Sequence, residues 1–133
     1  MTRIIKPDFK RALSLIEAAK RDLDVALSLK LNENSSSTIV RNIYESFRML
    51  GDALLFIRGV QSQDHIMPIN ELTKLKINTI RPLNNLDNLR KLRHSINYYG
   101  YRATIYDAKD ILDFAEKCFN KVYEEVKKQI ENN

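Results

Sequence analysis

Seven side chains with useful chemistry crowd one stretch, LRKLRHSINYYG (Leu89–Gly100): Arg90, Lys91, Arg93, His94, Asn97, Tyr98 and Tyr99. Guanidinium forks match the oxygens of phosphates and carboxylates. An imidazole exchanges protons near neutral pH, and phenol rings stack on bases or donate to phosphate. The set therefore suits an anion. At 100° per residue, Arg90, Arg93 and Asn97 share one stripe of a helix. Leu86, Leu89, Leu92 and Ile96 run beside that stripe, which sets Arg93 at the edge of the buried face. A guanidinium there needs a partner, because an isolated charge on an apolar face is costly to desolvate. Gly100 is the expected helix stop, leaving Tyr98 and Tyr99 in the last turn.

The charge distribution points to the same place. Of the formal net charge of +5, residues 1–71 contribute +1, with ten Lys and Arg against nine Asp and Glu. Residues 72–102 carry seven cations, including Arg81, Arg90, Lys91, Arg93 and Arg102, against Asp87 alone. Residues 103–133 are net acidic. A focused basic patch suits phosphate-bearing partners. A solvated helix face beside a lysine-rich loop is the plain alternative.

The elements that must position these residues read as helices. The chain of 133 residues has few glycines and prolines and no strand-like alternation, so the expectation is one all-α domain over residues 1–133. The first helix is predicted from Pro7 to Leu31, with Phe9, Leu13, Ile16, Leu23 and Leu27 as its core stripe. A polar loop with serines then offers an N-cap for a second helix over Ser37–Arg58. That helix carries the stripe Ile43, Phe47, Leu50, Leu54 and Ile57, with Tyr44 at its polar border. A short helix over Asp64–Lys76 opens beside His65, a turn holds Arg81, and Pro82 suits the start of the helix that carries the motif. Thr104 and Asp107 form a capping-box pattern for a last helix running to Ile130. Together these segments predict an antiparallel four-helix bundle with an additional short helix. Its single core should include Phe47, Leu50, Leu54, Leu89, Leu92, Ile96, Leu112 and Phe119.

Other chemistries lack their residues. Three glycines make no glycine-rich phosphate loop, and two histidines with one cysteine give no zinc spacing. Asp107, Asp110 and Asp113 recur every three residues, which reads as a solvated face near a helix N-terminus. No metal or cofactor is expected. Cys118 fits a core position. The first residues, MTRIIKPDFKR, show no signal-peptide hydrophobic region, and no run is long enough to span a membrane, so a cytoplasmic protein is expected.

Most of the chain resembles the HEPN family, small α-helical bundle proteins of bacteria and archaea. VRNIYESFRMLGDALLF (Val40–Phe56) looks like the family's characteristic second helix, and Gly59 followed by His65 looks like its helix–loop–helix junction. The family signature is an Arg, a polar residue, and a His four to six positions beyond the Arg. Arg93 matches the Arg, His94 takes the polar position, and Asn97-Tyr98-Tyr99-Gly100 resembles the motif's aromatic end. Tyr98 stands where the signature His would be.

The resemblance implies a homodimer in which two such motifs face a shared cleft. It also implies partnership with a minimal nucleotidyltransferase, as in toxin–antitoxin pairs. Many members are metal-independent ribonucleases, in which the His moves the ribose 2′-OH proton and the Arg neutralises charge on the scissile phosphate. Others have lost catalysis and bind only. With a tyrosine, ordinarily ionising near pH 10, in place of the His, two readings stand. In one, the chain is a non-catalytic subunit that binds RNA or nucleotide through Arg90, Arg93, Asn97, Tyr99 and Arg102. In the other, it is an endoribonuclease using Arg93 with His94 or Tyr98 as catalytic groups.

Overall fold

The computed structural model of the chain describes residues 2–64 and 66–132. His65, expected at the start of a helix, lies outside the described residues. The described chain is all-helical apart from one short ribbon. Its order is β1 (Thr2–Ile4), α1 (Phe9–Ser28), α2 (Ser36–Ile57), β2 (Val60–Ser62), α3 (Ile66–Thr73), α4 (Asn85–Tyr99) and α5 (Ile105–Glu131). No helix among the described residues is long and apolar enough to cross a membrane.

The second helix is the hub, packing against α1, α3, α4 and α5. Neighbours on so many sides bury most of its circumference. The expected stripe is joined by a second, Val40, Tyr44, Phe47, Gly51 and Leu54, all buried. Tyr44 is thus a core residue rather than a border residue. Gly51 is the contact point for α3: a Cβ at this position would lie 2.1 Å from the carbonyl oxygen of Pro68. Only glycine lets the two backbones approach this closely. Pro68 itself falls in the first turn of α3, where its missing N–H costs no helical hydrogen bond.

The first helix departs from expectation by one position around its axis. Its buried stripe is Ala12, Ile16, Ala19, Leu23 and Ala26, while Leu13 and Leu27 face solvent. Period and anchors hold at Ile16 and Leu23, but small alanines rather than leucines fill the buried face of a helix that packs mainly on α2. The start also shifts. Asp8 is the N-cap, accepting a hydrogen bond from the backbone N–H of Arg11 at 2.9 Å, and Pro7 precedes it.

The expectation of no strands needs correcting. Thr2–Ile4 pairs antiparallel with Val60–Ser62, in register Thr2 with Ser62 and Ile4 with Val60. Three residues per strand are too few to show a period of two in sequence.

The helix that carries the motif ends as predicted: Gly100 adopts φ of 66°, and its N–H bonds to the carbonyl of Ser95. The capping box of α5 is complete, with Thr104 and Asp107 each accepting the other's backbone N–H. Asp110 and Asp113 are not a free solvated face. Both pair with Arg81, at 3.0 and 3.2 Å, and the same guanidinium lies 5.5 Å from the centre of the Phe114 ring. Arg81 thereby ties the loop before α4 to α5.

All eight predicted core residues pack together, although Leu92 and Leu112 are only partly buried. Cys118 is buried among them.

Candidate functional site

The half-buried Arg93 organises the end of α4. Its guanidinium carbon lies 5.1 Å from the centre of the Tyr44 ring, on the hub helix, and 6.0 Å from that of Tyr98. With the Asn97 amide oxygen turned toward it, Nε and Nη2 donate to that oxygen at 3.1 and 3.2 Å. This orientation is the one in which both groups are satisfied. Four residues separate Arg93 from Asn97, so one helical turn places the amide over the guanidinium.

Burial pushes the Tyr44 phenol up to about 12, although Arg93 and Arg48 pull it down. Tyr44 is therefore neutral at physiological pH, offering Arg93 a ring face and no negative charge. Such a contact contributes about 0.5–2 kcal/mol. Among the described residues, Arg93 has no carboxylate within ion-pair distance. Its charge is supported by an amide and two rings, and its capacity for an anion is not used up.

Around this guanidinium the surface forms a cavity of about 360 Å³, lined by Arg90, Arg93, His94 and Tyr98 from α4, by Gln63 and Asp64 from the segment before α3 and by Ile66 at its start. On a regular helix His94 points about 100° from Arg93, yet the two meet at one place. Tyr98, one turn beyond His94, fills the space between them: the His94 and Tyr98 rings are 4.7 Å apart. His94 also meets the edge of Tyr99 at 5.6 Å. Imidazole and guanidinium thus line one cavity within a single chain.

The remaining candidates divide. Arg90 lines the cavity but is paired with Asp87 at 3.0 Å, and Lys91 meets the same carboxylate at 3.2 Å. These two cations hold Asp87 below the usual carboxylate range. Tyr99 is exposed and faces a neighbouring cavity. Arg102 is not part of this group: it donates to the Asn34 side chain at 2.9 Å, in the loop between α1 and α2. Asp64 is the acid at the cavity's rim. Its carboxylate accepts the backbone N–H groups of Ile66 and Met67 and is held below its ordinary range by them.

Two contributors escape the sequence reading. The first, Tyr44, belongs to the second stripe of α2, and its three/four spacing with Val40 and Phe47 is the signal that finds it. The approach of the α3 start to α4 has no local signal, because it arises from packing of elements distant in sequence. Among the described residues no three His, Cys, Asp or Glu side chains gather as they would around a metal ion. Comparison with protein-family models, with curated proteins and with solved structures gives no match.

Proposed function

We propose that this chain is a HEPN-type subunit, homodimeric and cytoplasmic, that binds the phosphate of RNA or of a nucleotide at the Arg93 cavity without cleaving it. It would act with a minimal nucleotidyltransferase partner. Under this reading α1, α2, α4 and α5 are the four members of the HEPN bundle, and α3 is the additional short helix. The observation that carries the proposal is the environment of Arg93: a half-buried guanidinium paired with no carboxylate among the described residues, backed by the neutral Tyr44 ring and opening into a cavity. An incoming phosphate would supply the charge-assisted hydrogen bonds that Asn97 alone does not. Partial neutralisation of Arg90 and Lys91 by Asp87 also eases the approach of two α4 helices across a two-fold axis.

The endoribonuclease reading keeps one specific support, the presence of His94 in the same cavity. Metal-free incubation of a mixed RNA pool with wild type, Arg93→Ala, His94→Ala and Tyr98→His separates the two. The binding reading expects wild-type RNA binding with no cleavage, weakened in Arg93→Ala, and new or increased cleavage in Tyr98→His. Robust wild-type cleavage, lost in both Arg93→Ala and His94→Ala, would replace it with the enzyme. Sedimentation at micromolar protein that shows only a 15.5 kDa species would refute the dimer.

A further inference from the structure

The Arg93 cavity and two further concavities are lined by neighbouring residues of the end of α4, the turn after it and the start of α5. Tyr98 lines the first. The second, of about 510 Å³, is lined by Leu92, Ser95, Tyr99 and Tyr101. The third, of about 540 Å³, is lined by Arg102, Tyr106 and Lys109 together with Thr104 and Glu33. Successive residues of one short segment therefore pass from each concavity to the next. Four covalent steps, Tyr98 to Arg102, span at most about 14 Å.

The residues along this line include both rings and cations. Tyr98, Tyr99 and Tyr106 expose 63%, 78% and 80% of their surface. These are large aromatic faces left in water, which is unusual for side chains that normally bury much of their area. Arg93, Arg102 and Lys109 have no carboxylate partner among the described residues: Arg102 meets the Asn34 amide, and the Lys109 ammonium lies 6.0 Å from the Tyr106 ring. Tyr101 differs, since its hydroxyl donates to Asp107 at 2.6 Å and is anchored as part of the turn.

We infer that the three concavities form one path for a single-stranded polynucleotide, with a second subsite at Arg102, Tyr106 and Lys109 that takes the strand leaving the Arg93 cavity. The inference rests on the proposed phosphate role of Arg93 and extends it. A mononucleotide fills one concavity and leaves the other rings unused. A duplex hides its base faces in its own stack, whereas a single strand offers them to aromatic side chains. Bases stack on Tyr99 and Tyr106, while Arg93, Arg102 and Lys109 follow the backbone.

Fluorescence anisotropy with labelled oligouridylates of about three and about nine nucleotides tests this, a span typical of such strand-binding sites. The wild type should bind the longer strand about ten-fold or more tighter than the shorter one, and tighter than a blunt duplex of equal length. Tyr106→Ala/Lys109→Ala, both exposed positions, should reduce the longer strand to the affinity of the shorter and leave the shorter unchanged. Arg93→Ala should weaken both. Equal affinity for both lengths, equal affinity for the duplex, or a double variant that binds like wild type would overturn the path while leaving the Arg93 reading intact. Loss in the double variant with Arg93→Ala unaffected would overturn the Arg93 reading and the continuous path with it. No binding by any form would overturn both.

Discussion

Two arginines on different helices act on the same buried phenol, Tyr44. Arg48, in the middle of α2, is flanked by Glu45 and Asp52 and ion-pairs with both. Arg93, near the end of α4, has an amide, two rings and an open cavity. Both are half-buried, and both act electrostatically on Tyr44. At Arg48 the chain supplies the anions itself, spaced at i−3 and i+4 on one face. At Arg93 none of the described residues supplies an ion-pair partner. A satisfied cation holds structure, whereas a cation supported only by neutral groups has room for an anion from outside.

The contrast predicts where damage falls. The largest loss of stability belongs to the hub: Leu54 is fully buried on α2, and Leu54→Ala should cost about 2–5 kcal/mol in urea unfolding. Arg48→Ala should cost about 1–3 kcal/mol, since it strands Asp52, only 14% exposed, without its hydrogen-bonding cation. RNA binding per folded molecule should be unchanged in both. A binding defect in Arg48→Ala would erase the distinction between the two arginines.

Asp52 sharpens the comparison through pH. Burial raises its carboxyl to about 6 from 3.8, outweighing the attraction of Arg48. The folded protein therefore holds this proton more tightly than the unfolded chain does. The stability from this group is fully present below about pH 4 and is lost as pH rises through about 6. Asp64, Asp87, Asp107 and Asp113, held below their ordinary range, act in the opposite direction and lose their contribution on acidification. The difference between wild type and Asp52→Asn isolates the single group. Asp52→Asn should gain on the order of 2 kcal/mol relative to wild type between pH 4 and pH 7. A difference that is flat with pH would show that Asp52 titrates normally.

Much of this arrangement was legible in residue spacing. Gly100 as the helix stop, the Thr104–Asp107 box and the Arg93–Asn97 pairing all follow from contacts within one turn. What escaped depends on neighbours that local sequence does not display. A single apolar stripe was expected on α2, but a hub helix is covered on several sides, so Tyr44 went inward. On α1 the leucines outweigh the alanines in hydropathy, yet close packing on α2 selected Ala12, Ala19 and Ala26. Arg102 lies close to the motif in sequence, but the turn after Gly100 carries it to Asn34. The capture of Arg81 by Asp110 and Asp113 likewise joins segments about thirty residues apart.

Arg93→Ala should have the smallest effect on stability, about 0.5–2 kcal/mol, because it removes two ring contacts and the Asn97 hydrogen bonds but leaves no buried carboxylate behind. Its effect on ligand should be the opposite. The most direct test is therefore a salt titration of single-stranded oligouridylate binding by wild type and Arg93→Ala. Wild-type affinity should fall steeply as salt rises. Arg93→Ala should bind more weakly at every salt concentration, with the logarithmic slope reduced by about 0.7, the signature of one lost phosphate contact on a single strand. An Arg93→Ala protein with wild-type affinity and wild-type slope would contradict the assignment of Arg93 as the anion contact.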